Sequence, residues 1–247
     1  MEPNDNLGQS ERDSAHDAAV PARTDATAMQ MLEQKADELI QWITDKAISG
    51  VPSLSSAEQL ADEYKTRPGF GSDDDRVDSL IKWECSKNFA SGFFTGLGGV
   101  VTIPFSIPTA LGASWLIQTR MSAAIARIYG HNLHDDKVRT FVVLTLLGNE
   151  AAGLLKEVGV TVGNKLTLEV IKRIPIKSIT SINKLVGFRL LSKVSQQGVV
   201  DLTKLVPVAG GVVGGTFDLV ACQAVGRIAK KVFRPVDGSP PPSPTTS

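Results

Sequence analysis

The sequence predicts an all-α fold, on three observations. Apolar residues recur at three- and four-residue spacing through most of the chain. Capping and stopping residues punctuate these runs at helical lengths. The Val-rich stretches lack both strict alternation and the regular turn spacing of an all-β protein. At 247 residues the chain is long enough to bury a substantial core.

The elements follow in order. The first helix covers Thr27–Ser49, where Met31, Leu32, Leu39, Ile40, Trp42, Ile43 and Ile48 form a wide apolar stripe. Gly50 and Pro52 stop it. Ser55, with Glu58 three residues on, is the expected capping box of a second helix. Ser72 and three aspartates favour a third helix N-terminus, leading to Val77, Leu80, Ile81, Trp83 and Phe89. A fourth helix runs from Pro108 to about Tyr129. Another starts at Asp135 or Asp136, with Gly148 placed to break it. Two more flank Pro175, and the last runs from Pro207 to Phe233.

Asn88–Thr119 contains no charged residue. Hydropathy alone reads this run as a transmembrane helix. Pro104 and Pro108 oppose that reading, because each removes a donor and restricts the residue before it. The apolar halves, Phe93–Ile103 and Pro108–Gln118, are each roughly 16 Å long, against a bilayer core of ~30 Å. Two arrangements stay open: a hairpin dipping into one leaflet, and the same hairpin buried in a helical globule. A second glycine-rich apolar segment, "PVAGGVVGG", is expected to form a similar hairpin element.

Net charge is zero but unevenly spread. Residues 27–84 carry twelve acids and six bases, whereas residues 165–234 carry twelve bases and three acids. The basic third is therefore expected to attract anionic surfaces. Residues 1–26 form an acidic arm too poor in large apolar groups to order, and residues 235–247 a Pro/Ser-rich flexible tail. The helical domain is expected at 27–234. The N-terminus has no signal-peptide pattern, so the expected location is cytoplasmic. Cys85 and Cys222 lack metal-ligand spacing and are expected as buried thiols.

Chemistry-bearing clusters are few. "HNLHDD" offers His131 and His134 as metal candidates, but no obvious third His or Cys ligand exists and the aspartates suit a helix cap. Asp218, in apolar surroundings, is expected to hold a base such as Arg120 or Arg189, or to cap a helix. There is no nucleophile elbow, P-loop or nucleic-acid motif, so no catalytic residue, cofactor or nucleic-acid partner is expected.

The segments "GFFTGLGGVVTIPFSIP", "QTRMSAAIARIYGHNLHDDKVRTFVVLTLLG" and "SINKLVGFRLLSKVSQQGVVDLTKLVPVAGGVVGGTFD", in this order and spacing, resemble the EcsC protein family. The resemblance covers roughly residues 54–233 and leaves residues 1–26 outside. It implies an α-helical, membrane-associated bacterial protein and supplies no catalytic residue. Together these readings give a non-enzymatic accessory or scaffold at the inner face of the cytoplasmic membrane, serving transport or stress. Phe93, Phe94, Ile103, Phe105 and Ile107 would enter the interface. Lys177, Lys184, Arg227, Lys230, Lys231 and Arg234 would meet anionic phospholipid, with a membrane protein as a further partner. The alternative is a soluble helical protein-interaction module; a metal-binding protein or enzyme ranks below both.

Overall fold

The computed structural model describes residues 20–90, 109–160, 168–198 and 207–235. They form nine α-helices: α1 Val20–Ser49, α2 Ala57–Thr66, α3 Asp73–Ala90, α4 Thr109–Ile128, α5 Asp136–Leu144, α6 Ala151–Glu157, α7 Leu168–Arg173, α8 Ile176–Gly198 and α9 Pro207–Phe233. A 3-10 segment, Thr145–Glu150, joins α5 to α6. Among the described residues there is no strand, only an isolated bridge between Val51 and Leu54.

Two helix starts differ from expectation. α1 begins at Val20, inside the predicted arm. The segment "VPARTDATA" is rich in alanine, and Pro21 falls in the first turn, where its missing N–H costs no helical bond. The cap of α2 is Ser56 with Gln59, one residue later than predicted. Gln59 N–H donates to Ser56 Oγ at 3.0 Å, and Ser56 N–H donates to Gln59 Oε1 at 3.0 Å. Ser55 is occupied elsewhere: its hydroxyl accepts from Arg120 Nη1 at 2.8 Å. The predicted break at Gly148 is present, with φ 55° and ψ −126°, a backbone conformation that suits glycine.

α4 is the central helix. It packs against α1, α2, α3, α5 and α9, and Ala113, Trp115, Leu116, Ile117, Met121 and Ile125 are buried along it. The second half of the long uncharged run is thus internal. Its first half, with Phe93, Phe94, Ile103, Phe105 and Ile107, lies outside the described residues. The other glycine-rich segment opens α9, which continues to Phe233 without the predicted hairpin turn. Pro207 sits at the first helical position, where it is tolerated, and no later proline interrupts the helix.

Two seams organise the rest. α3 and α9 run antiparallel, and their partners climb one helix as they descend the other. Asp74 meets Arg234, Asp78 meets Lys230, Gly226 lies against Ile81, and Cys85 bonds Cys222. The two expected thiols are therefore a disulfide. The register that pairs Asp78 with Lys230 also aligns the cysteines, with a Cα–Cα distance of 5.7 Å. α1 and α8 run parallel instead: Glu33 pairs with Lys184, and three residues further along both helices Ala36 meets Gly187.

Candidate membrane-contact surface

The folded chain answers much of its own charge asymmetry. Lys230 Nζ lies 2.6 Å from Asp78, and Arg234 lies 2.6 Å from Asp74. Lys184 pairs with Glu33. Arg189 contacts Glu157 at 2.8 Å and Glu150 at 3.7 Å, and Lys193 contacts Glu150 at 3.7 Å. Acids before residue 85 and in the 150s thus face bases of the C-terminal third. Three predicted headgroup contacts, Lys184, Lys230 and Arg234, are engaged within the protein.

Lys230 and Arg234 pair with the first turns of α3. The uncharged run leaves from the other end of that helix, at Ala90. Asp74 and Ala90 are sixteen residues apart, roughly 24 Å along the axis.

Five cations of the basic third make no ion pair among the described residues: Lys172, Arg173, Lys177, Arg227 and Lys231. The first three converge at the α7–α8 corner, "IKRIPIK". Ile171, Ile174 and Ile179 anchor this corner in the core. Helical geometry then turns Lys172, Arg173, Ile176 and Lys177 outward, all exposed. Ile176 is 67% exposed, the highest value for any large apolar residue described. Lys137 Nζ donates to the Lys172 carbonyl and ties the corner to α5.

The parallel α1–α8 seam brings more apolar surface to the same end. Extended eight residues beyond the Glu33–Lys184 pair, this register sets Ile176 level with Asp25 of α1, one to two turns before the exposed Met29, Met31 and Leu32. The remaining exposed large apolar residues, Trp83 and Val220, lie near the disulfide level of the α3–α9 seam.

The other predicted polar sites have structural partners. Arg120 is buried and donates to Glu84 Oε2 at 2.5 Å and to the Ser55 carbonyl at 3.2 Å. Burial pulls the Arg120 pKa down, and the Glu84 charge opposes that shift. The acid facing Arg120 is therefore Glu84, where Asp218 had been expected; those facing Arg189 are Glu150 and Glu157. The side chain of Asp218 lies outside those described.

"HNLHDD" is a turn followed by a cap. Asp135 Oδ1 accepts from Lys137 N–H at 2.8 Å, and Asn132 Oδ1 accepts from His134 N–H at 2.9 Å. His131 is buried, and its Nε2–H donates to the Phe233 carbonyl at 2.8 Å. Its ring meets the Phe233 ring edge-on at 5.1 Å. Burial pushes the His131 pKa down. His134 is exposed, 3.8 Å from Glu58, so the two imidazoles do not share a site. Among the described residues, no group of three or more His, Cys, Asp or Glu could hold a metal ion.

One described helical stretch, Asp136–Glu157, is long and apolar enough to cross a membrane by length and composition; 72% of its most apolar window is buried inside the protein. A core helix meets the same test, and Gly148 interrupts this one.

A sequence profile of the EcsC protein family matches residues 14–235. The chain belongs to the EcsC protein family. The match reaches well before residue 54, so all of α1 and part of the acidic arm belong to the EcsC pattern. No curated protein and no solved structure matches the chain. The EcsC segment "INKLVG" has a clear role here: Gly187 is where α8 touches the α1 backbone.

The corner residues Lys172, Arg173 and Ile176 were absent from the sequence-based site. The signal was present. In "IKRIPIK" three isoleucines surround a helix-breaking proline, and they cannot all face the core across a corner.

Proposed function

We propose that this EcsC protein is a peripheral, non-enzymatic membrane-associated protein, acting as an accessory or scaffold at the inner face of the cytoplasmic membrane. One observation carries the reading. An exposed isoleucine stands among three exposed cations that make no ion pair among the described residues, at the end where Met29, Met31 and Leu32 are also exposed. An exposed apolar side chain flanked by cations suits a lipid surface. The cytoplasmic leaflet supplies the anionic headgroups such cations attract.

The magnitudes describe a reversible contact. Three cations contribute about 3 kcal/mol, and inserting the exposed part of Ile176 adds about 1–2 kcal/mol. A total of about 4–5 kcal/mol corresponds to roughly millimolar affinity. Such binding is salt-sensitive, and the apolar residues of α1 or a membrane protein partner would strengthen it.

Vesicle flotation tests the proposal. Vesicles of equal parts phosphatidylglycerol and phosphatidylcholine should carry the protein at low salt; pure phosphatidylcholine vesicles should not. Lys172→Glu, Arg173→Glu and Lys177→Glu together should abolish flotation. Lys230→Gln with Arg234→Gln should leave it intact. Flotation of the charge-reversed protein at the wild-type level would overturn the assignment.

The second reading, a soluble helical protein-interaction module, draws on the burial of Trp115, Leu116 and Ile117. It predicts that the protein stays at the bottom of the gradient with either vesicle, in low and high salt.

A further inference from the structure

We propose that the acidic N-terminal segment, residues 1–19, docks on the α7–α8 corner and competes there with anionic lipid. The proposal rests on the membrane reading for its consequence, though the contact itself can be tested without lipid. Three observations lead to it.

The first is where the chain enters the fold. α1 and α8 run parallel, and Ile176 is level with residue 25. Val20, the first residue of α1, lies five residues beyond that level, or ~8 Å along the axis. Packed helices are separated by about 8–10 Å, so the segment starts roughly 12 Å from the corner. Nineteen residues can reach at most ~65 Å, which covers that distance.

The second is charge complementarity. Glu2, Asp5, Glu11, Asp13 and Asp17 stand against Arg12, a balance of −4. Lys172, Arg173 and Lys177 are the cluster of described cations at that end without an ion pair, whereas Lys184, further along α8, is already held by Glu33. The third is energetic scale. A short tether presents its charges at millimolar effective concentration, so a segment contact no tighter than the lipid contact is still populated enough to compete with it. The segment then sets how much anionic lipid the corner needs.

The test uses the full chain with Glu2→Gln, Asp5→Asn, Glu11→Gln, Asp13→Asn and Asp17→Asn together. Binding to vesicles of equal parts phosphatidylglycerol and phosphatidylcholine should tighten about fivefold at low salt, as the corner is freed. High salt should erase the difference. In lipid-free wild-type protein, a carbodiimide should form zero-length links from segment carboxylates to Lys172 or Lys177, read by peptide mass spectrometry. Equal vesicle binding by both proteins, without those links, overturns the proposal. Links spread evenly over Lys35, Lys65 and Lys231 overturn it as well. Links to the corner with no vesicle binding by either protein uphold the contact and remove the membrane reading.

Discussion

Gly187→Ala is the most direct test of the α1–α8 seam, on which the placement of the basic corner depends. In an exposed helix interior the change gains about 1 kcal/mol, since alanine exceeds glycine in helix propensity by that amount. Here the new Cβ would lie 2.7 Å from Ala36 Cβ and 2.8 Å from the Ala36 carbonyl oxygen. Carbon atoms pack best at about 3.5–4.0 Å, so the helices must part by most of an ångström. The obstacle includes backbone, which cannot rotate aside. Overpacking of this kind costs about 1–3 kcal/mol, and set against the propensity gain it leaves a net loss of up to about 2 kcal/mol. Gly153→Ala is the matched control: it too is helical, and its added Cβ meets nothing within 4 Å. A kilocalorie shifts Tm by about 2–4 °C in a domain of this size. Thermal unfolding should therefore show Gly187→Ala lowered by up to about 8 °C and Gly153→Ala raised by about 2–4 °C. If both variants gain stability, α8 does not touch α1 at residue 36. The parallel register would then fail, and with it the arrangement of the corner beside α1.

Three further outcomes are expected. Reducing the Cys85–Cys222 bridge, which spans 137 residues of sequence, should cost about 5 kcal/mol in the chain-entropy description; denaturant melts with and without reductant measure this, and free thiols titrating in native, unreduced protein would rule out the bridge. Glu84→Gln should cost about 3–5 kcal/mol because it strands the buried Arg120 charge, whereas Glu84→Met with Arg120→Met should cost much less; equal losses would mean the pair is not buried together. His131 has a folded pKa below its unfolded value of about 6.5, so the native state binds fewer protons and stability falls as pH drops below about 6.5. His131→Asn should flatten that fall in a Tm series from pH 8 to pH 5, and an unchanged slope would show that another group titrates.

The helices were legible because their signals are local. Pro207, the three aspartates of α3 and Gly148 each act within a turn or two, and each element formed close to where those signals put it. The misses arose where distant residues compete for one group. Ser55 and Ser56 are equivalent N-caps by local chemistry; Arg120, 65 residues away, takes the first and leaves the second to cap α2. The disulfide was hidden for the same reason. Cys85 and Cys222 are 137 residues apart, and only the antiparallel register brings them together. Its presence also bears on location. Disulfides are uncommon in a reducing cytoplasm, so the thiol state of protein taken directly from cells tests the expected compartment as well as the fold.

The candidate site shows the limit of reading charge along a chain. A block of +9 reads as one attractive surface only if its members stay solvent-facing together. Folding distributes them by a different rule. Lys184, Arg189, Lys193, Lys230 and Arg234 find whichever acid the helix register brings opposite: Asp74 and Asp78 from α3, Glu33 from α1, Glu150 and Glu157 from the α5–α6 region. The acidic and basic blocks therefore serve largely as opposite sides of internal seams. A functional field must come from the bases left over: at the α7–α8 corner Lys172, Arg173 and Lys177 make no ion pair among the described residues, although Lys137 of α5 lies against it. Residues 1–19 carry five acids against one base and lead into the start of α1. Whether lipid or that segment neutralises Lys172, Arg173 and Lys177 is thus one electrostatic question with two competing answers, and ionic strength is the variable that separates them.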